Sequence, residues 1–266
     1  RGAGPAAAAL RKEIALLEGL AHPNIVMYLG TQQAGRRLNV FLEYASEGSL
    51  LETLRRFGPL REGVVRQYAA QLLAGLAYLH GRGIIHRDIK PSNILMDKGI
   101  LKLADFGCSV GVQLKDGGGS EAGHQYTAVG TTVYMAPEVM QADAEAGTGY
   151  GRRADVWSLG MTALEMATGR APFPSAPVAI YKVCVRGEVP PAPPSLSPEG
   201  RAFLARCLAF DPAARADAAE LLAADFCTVL DAPELLREPE VGPGATYRRR
   251  ESSSSDEDGE DGDGEA

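Results

Sequence analysis

Residues 86–107 read His86-Arg87-Asp88-Ile89-Lys90-Pro91-Ser92-Asn93-Ile94-Leu95-Met96-Asp97-Lys98-Gly99-Ile100-Leu101-Lys102-Leu103-Ala104-Asp105-Phe106-Gly107. Ile94-Leu95-Met96 and Ile100-Leu101-Lys102-Leu103 are short β-prone runs around an Asp97-Lys98-Gly99 turn, which is a β-hairpin pattern. A hairpin of that length returns the chain to its starting end. Asn93, just before the first strand, and Asp105, just after the second, therefore fall together. Taken singly, His86-Arg87-Asp88 and Asp105-Phe106-Gly107 are ordinary turn tripeptides, because Asp and Gly favour turns. Their joint spacing, with Asn93 five residues after Asp88 and Asp105 twelve after Asn93, is not explained by two unrelated turns.

Two acids and an amide so arranged suit phosphoryl transfer. A phosphoryl group in flight spreads negative charge over its oxygens, so a protein must hold metal ions against the phosphates and aim an incoming hydroxyl in line. Asp88 would accept or orient that hydroxyl. Asn93 and Asp105 would hold Mg2+, which favours oxygen ligands and keeps part of its water.

The chain has 266 residues, of which 45% are hydrophobic, enough for one large core or two modest lobes. No apolar run reaches the roughly 18 to 20 residues of a membrane span. Arg1 to Ala9 is an Ala/Gly/Pro stretch without the apolar centre of a secretory signal. Four cysteines, Cys108, Cys184, Cys207 and Cys227, have no paired spacing, which argues against a zinc site or a disulfide framework. A reducing compartment, cytoplasmic or nuclear, is expected, with no membrane partner. The net charge is −7, but residues 251–266 hold eight acids and no Lys or Arg, so removing them leaves a body of +1. Nothing in that balance suggests a nucleic-acid partner.

Periodicity organises the rest. Leu10 to Leu20 has helical spacing and includes Glu13; strand-like runs follow at Ile25 to Leu29 and Leu38 to Leu42. Helices are predicted from Ser49, from about Arg61 to His80, and at Asp155 to Thr168, Val178 to Arg186, Pro198 to Ala209 and Asp217 to Leu222. Residues 108–129 lack periodicity and contain Gly117-Gly118-Gly119, which reads as a loop. The pattern describes an α+β protein of two unequal lobes, 1–43 and 44–230. A tail from 231 to 266 has too little apolar surface to offset the entropy of ordering.

The chain resembles the eukaryotic serine/threonine protein kinases, and within them the mitogen-activated protein kinase kinase kinases of plant and algal type. The likeness rests on His22-Pro23-Asn24-Ile25-Val26, Phe41-Leu42-Glu43-Tyr44, Gly83 through Asn93, Asp105-Phe106-Gly107, Gly130-Thr131, Met135-Ala136-Pro137-Glu138, Ala154 through Gly160, and Glu165 through Gly169. It implies a two-lobed kinase fold, ATP and Mg2+ as cofactors, and a protein substrate that is a kinase lower in a cascade. By the same likeness Asp88 is the catalytic base, Lys90 steadies the transferring phosphate, and Asn93 and Asp105 are the metal ligands. Glu43 to Ala45 form the hinge that meets adenine, Leu42 guards the back of that pocket and Leu95 lies under the ring. Glu138 with Arg215 resembles a buried ion pair, and Asp155 a cap on the catalytic loop.

Glu13 resembles the helix glutamate that pairs with a nucleotide-binding lysine. The family's glycine-rich loop and that lysine lie upstream of the helix, where this chain has only twelve residues. Lys12 does not substitute, being adjacent to Glu13 on the same helix. A fragment of a longer kinase is therefore expected, one that itself turns over ATP weakly or not at all. The alternative is a catalytically inactive kinase-like scaffold. A small-molecule phosphotransferase fits the two triplets but not Ala136-Pro137-Glu138. Control is expected between Cys108 and Ala136, where phosphate on Thr127, ahead of Tyr126, Ser120 or Ser109, would pair with Arg87, and Thr131 would sit near Asp88. Ser252 to Ser255, ahead of acids, resembles an acid-directed phosphorylation target.

Overall fold

A computed structural model describes residues 14–35, 37–106, 109–111, 132–142 and 151–228. The chain divides into two units, Arg1–Leu235 and Leu236–Ala266, and the second lies outside the described residues, as do residues 231–235. Both expected lobes fall within the first unit. Among the described residues no helix is long and apolar enough to cross a membrane.

The centre is α4, Arg152–Thr168, in which every residue from Ala154 to Ala167 is buried. A helix buried on all faces must be surrounded by other elements. Against it pack α2, Glu62–Gly81, and α6, Pro198–Cys207, while α7, Ala218–Leu222, and α8, Asp225–Thr228, cover α2. Leu72, Leu73, Leu76 and Leu79 give α2 a wholly buried stripe, each side chain stabilising the fold by about 1.5 to 3 kcal/mol. Gly160 is where α4 and α6 touch: a Cβ there would lie 2.6 Å from the Cys207 Cβ and 2.9 Å from Leu208.

The helix α1, Leu50–Phe57, starts at Ser49 in a reciprocal cap: the Ser49 hydroxyl accepts the Glu52 N–H, and the Glu52 carboxylate accepts the Ser49 N–H at 2.8 Å. Of the strand-like runs of the N-terminal part, the first begins later than the spacing predicts and the second matches it to within a residue. They form an antiparallel pair, β1, Tyr28–Ala34, and β2, Arg37–Leu42, while Asn24 to Val26 runs beside a different strand. Residues 14–17 are helical, with Ile14, Leu17 and Leu20 buried as their spacing predicts.

A two-residue strand β3, Ile84–Ile85, leads into the 86–107 stretch. The predicted hairpin is present as β4, Ile94–Asp97, and β5, Ile100–Leu103, in register Ile94 with Leu103 and Asp97 with Ile100. Its turn residues Lys98 and Gly99 have φ of 50° and 75°, the left-handed pair that a two-residue hairpin loop demands. Strand β6, Val110–Gly111, pairs with β3, so the segment read as a loop from 108 begins with a short strand. The turn helix α3, Pro137–Met140, follows the Thr132–Tyr134 turn. The helix predicted at Val178 to Arg186 is instead α5, Ala176–Ile180, continued by a π-helical turn at Tyr181–Val185. Glu13, Gly107, Cys108, Ser120, Tyr126, Thr127, Thr131 and Ser252 to Ser255 lie outside the described residues.

Candidate active site

The loop before the hairpin is hung on one carboxylate. Asp155, in the first turn of α4 and wholly buried, accepts the N–H groups of His86 and Arg87 at 2.9 and 2.8 Å. The Nε2 of His80, in the last turn of α2, donates to it at 2.8 Å. These bonds hold Arg87 at φ 70°, a left-handed conformation that costs a side-chain-bearing residue about 1 to 3 kcal/mol.

His86 is a buried strut. Its Nδ1 accepts the Asp88 N–H at 3.3 Å and its Nε2 lies 3.2 Å from the Ala104 carbonyl. Only the neutral ring protonated at Nε2 makes both bonds. Burial, outweighing the neighbouring Asp155, Asp88 and Asp105 carboxylates, pushes its pKa below the ordinary value and keeps that form. The ring therefore ties the residue before Asp105 to the residue that carries the expected base. Phe106 packs against it, ring centres 5.0 Å apart.

Asp88, Lys90 and Asn93 form one cluster. Asp88 Oδ2 accepts from Asn93 Nδ2 at 2.7 Å and from Lys90 Nζ at 2.7 Å, and Lys90 also reaches Oδ1 at 3.0 Å. Asn93 Nδ2 donates again to the Asp88 carbonyl at 3.0 Å. With the amide nitrogen so occupied, Asn93 Oδ1 is turned away from Asp88, where the Ser92 hydroxyl donates to it at 3.2 Å. The Asn93 carbonyl accepts the Ala104 N–H at 2.9 Å, closing the open end of the hairpin. Asp105 follows at once, with φ 63° and an exposed side chain. An amide oxygen and a carboxylate at the mouth of one hairpin are hard oxygen donors of the kind Mg2+ takes, so the residues present fit that ion.

The expected hinge lies alongside. Leu42 ends β2 and is 42% exposed; Leu95, on β4, is half-buried against the core. Among the described residues the Glu43 carbonyl and the Ala45 N–H enter no hydrogen bond. The rest of the segment is bound on both sides. Glu43 exchanges main-chain and carboxylate bonds with Met27 at 2.9 and 2.6 Å. Ser46 Oγ donates to Asp97 at 2.6 Å, and Met96 takes part in bonds to Glu47 and Gly48 at 3.1 and 2.9 Å. The anchors Ser46 and Asp97, and Lys102, whose ammonium lies 3.0 Å from the Glu43 carboxylate, are not singled out by sequence spacing. A lysine alternating with two buried leucines on β5 was the available signal for Lys102, but its partners lie far away in sequence.

Beyond the cluster, Glu138 and Arg215 make a two-pronged ion pair at 2.6 and 3.0 Å. The remaining guanidinium N–H groups reach the carbonyls of Ala209, Arg153 and Phe210. Tyr134 donates to the buried Glu165 carboxylate at 2.6 Å. Burial raises the Glu165 pKa, and burial next to Glu165 raises that of Tyr134, so the phenol keeps its proton.

Mitogen-activated protein kinase kinase kinase 4 of Mus musculus is 44% identical over 204 residues, 75% of this chain and 12% of that protein. Mitogen-activated protein kinase kinase kinase ANP1 of Arabidopsis thaliana is 45% identical over 204 residues, 75% of this chain and 29% of its own length. The kinase kinase kinase 1a of Physcomitrium patens is 44% identical over 204 residues, covering 76% of this chain and 25% of its own length. The chain thus spans less than a third of each of these relatives. The model of the protein kinase domain matches residues 4–227, from before the first described helix into α8, and on that extent the chain belongs to the protein kinase family.

Proposed function

We propose that the protein to which this chain belongs transfers the γ-phosphoryl group of ATP to serine or threonine of a protein substrate, a kinase lower in a mitogen-activated cascade. The observation that carries the reading is the Asp88 carboxylate held by both Lys90 and Asn93, 2.7 Å from each, at the mouth of the hairpin that ends in Asp105. The relatives named as mitogen-activated protein kinase kinase kinases support the level in the cascade.

Asn93 Oδ1 and the Asp105 carboxylate would hold Mg2+. Bound there, the ion would neutralise charge on the nucleotide's phosphates. Asp88 orients the acceptor hydroxyl and takes its proton, its carboxylate fixed by the Asn93 amide so that little rearrangement remains. Lys90 lies close enough to Asp88 to share one acceptor site, and supplies positive charge where the transferring group would pass. Glu43 and Ala45 offer one carbonyl and one N–H to a flat base, with Leu42 and Leu95 as apolar walls, which is the economy expected of an adenine site.

The test is incubation of the full-length protein with Mg2+, ATP and a downstream kinase whose own catalytic aspartate is replaced. Phosphoserine or phosphothreonine on the acceptor is the expected product. Nucleotide binding without transfer would favour the inactive scaffold instead.

A further inference from the structure

The hinge is gripped by both strands of the catalytic hairpin, and one grip is a lysine that phosphoryl transfer leaves without a task. Lys102 sits on β5 between buried Leu101 and Leu103, three residues before Asp105. Its ammonium lies 3.0 Å from Glu43 Oε1 and donates to the Pro23 carbonyl at 3.1 Å. The same Glu43 oxygen accepts the Met27 N–H at 2.6 Å. The two side chains are only 13% and 19% exposed, so water screens the pair far less than a surface ion pair.

Three segments meet at this point. Leu103, next to Lys102, donates its N–H to the Asn24 carbonyl and accepts the Val26 N–H, both at 2.9 Å. Residues 23–27, the first hinge residue and the strand leading to Asp105 are thereby one hydrogen-bonded block. Glu43 is the only member that also offers a group to the adenine edge, through its carbonyl. A carboxylate that lost the lysine would keep only the Met27 N–H, and the ion pair that ties the first hinge residue to β5 would be gone.

The geometry points to Lys102 as a positioning residue for the nucleotide base: by clamping Glu43 it fixes the Glu43 carbonyl and Ala45 N–H at a set distance from the strand that ends in Asp105. This rests on the reading of Glu43 to Ala45 as the adenine-binding edge. Lys102 touches neither base nor phosphate. Its contribution is preorganisation, which lowers the ordering cost of binding without adding a contact to the ligand.

The experiment is calorimetric binding of adenosine, and separately of ATP with Mg2+, to the full-length protein and to Lys102→Met, Lys102→Arg, Glu43→Gln and the double variant Lys102→Met with Glu43→Gln. Lys102→Met is expected to weaken adenosine and ATP by the same factor, about three- to tenfold. Glu43→Gln keeps the acceptor for Met27 and is expected to weaken both ligands similarly, and the double variant to be no worse than either single one. Lys102→Arg, which keeps the cation, should recover most of the affinity. Unchanged adenosine affinity in Lys102→Met, or losses that simply add in the double variant, would overturn the proposal. Should Lys102→Met not fold, Glu43→Gln and Lys102→Arg decide it. Ala45→Pro, which deletes the N–H, separates the two levels. If it leaves adenosine binding intact, the hinge reading fails and the clamp loses its task with it. If it abolishes binding while Lys102→Met does nothing, only the clamp fails.

Discussion

Asp155 accepts the N–H of Arg87 at 2.8 Å, and through that bond the most buried helix of the fold holds a left-handed residue directly before Asp88. The loop that carries Asp88 therefore takes its shape from α4 and not from its own sequence preferences. The same carboxylate takes the His86 N–H and the His80 ring, so one side chain joins α2, α4 and the loop that begins at His86.

Asp155→Asn should be severely destabilising. An amide can accept from one side only and turns an NH2 group toward donors, leaving buried N–H groups without partners. The expected loss is about 3 to 5 kcal/mol, read as a lower midpoint in urea unfolding, with phosphoryl transfer reduced in whatever fraction remains folded.

Glu138→Ala tests the second buried charge. Arg215 is wholly buried and its guanidinium is fully engaged, two of its bonds going to Glu138. Removing the carboxylate strands that cation, at a cost of about 3 to 5 kcal/mol. Glu138→Ala combined with Arg215→Met should lose less than Glu138→Ala alone, and denaturant unfolding of the set checks this.

Gly160→Ala should destabilise although alanine is the better helix former. The added Cβ would come 2.6 Å from Cys207 Cβ on α6, closer than packed carbons sit. Overpacking of that kind costs about 1 to 3 kcal/mol, which exceeds the gain of up to about 1 kcal/mol in helix propensity. The melting temperature is the measurement, and an unchanged or higher value would show that α6 can move aside.

Glu165 gives a pH signature. Its carboxyl pKa is raised in the folded state from 4.5 by burial, against the smaller effects of the Tyr134 hydrogen bond and Arg55. Above pH 4.5 the unfolded chain loses its proton while the folded one keeps it, so stability falls as pH rises until Glu165 ionises in place. Glu165→Gln has no proton to lose and can still accept the Tyr134 bond. The variant should therefore gain on the parent as pH rises from 4.5, in unfolding free energies measured across the range. A constant difference would contradict the raised carboxyl.

The parts of this molecule that could be read from sequence are those whose causes are local. The hairpin follows from Lys98-Gly99 and the β-prone runs beside them, and α1 begins at Ser49 because Ser49 and Glu52 cap each other. The predicted helix from Arg61 to His80 becomes Glu62–Gly81, displaced by a residue. What escaped has distant causes. The pairing of Ile84–Ile85 with Val110–Gly111 joins two fragments too short to carry a period. β1 starts at Tyr28 because Asn24 to Val26 is claimed by Leu103. The turn at Tyr181–Val185 is π-helical, a winding that side-chain periodicity over five residues does not distinguish from α. At the site, Asp88 and Asn93 announce themselves by spacing, whereas the Lys102 anchor depends on Glu43 and Pro23, which no local pattern connects to it.

The central claim is that Asp88 acts on the acceptor hydroxyl and is not a ligand of the nucleotide. The most direct measurement is steady-state phosphoryl transfer by the full-length protein and its Asp88→Asn variant, with ATP affinity measured in parallel. The expected result is a fall in kcat of about a hundred- to ten-thousandfold with ATP binding within a few fold of the parent. Transfer by Asp88→Asn at close to the parent rate would contradict the account.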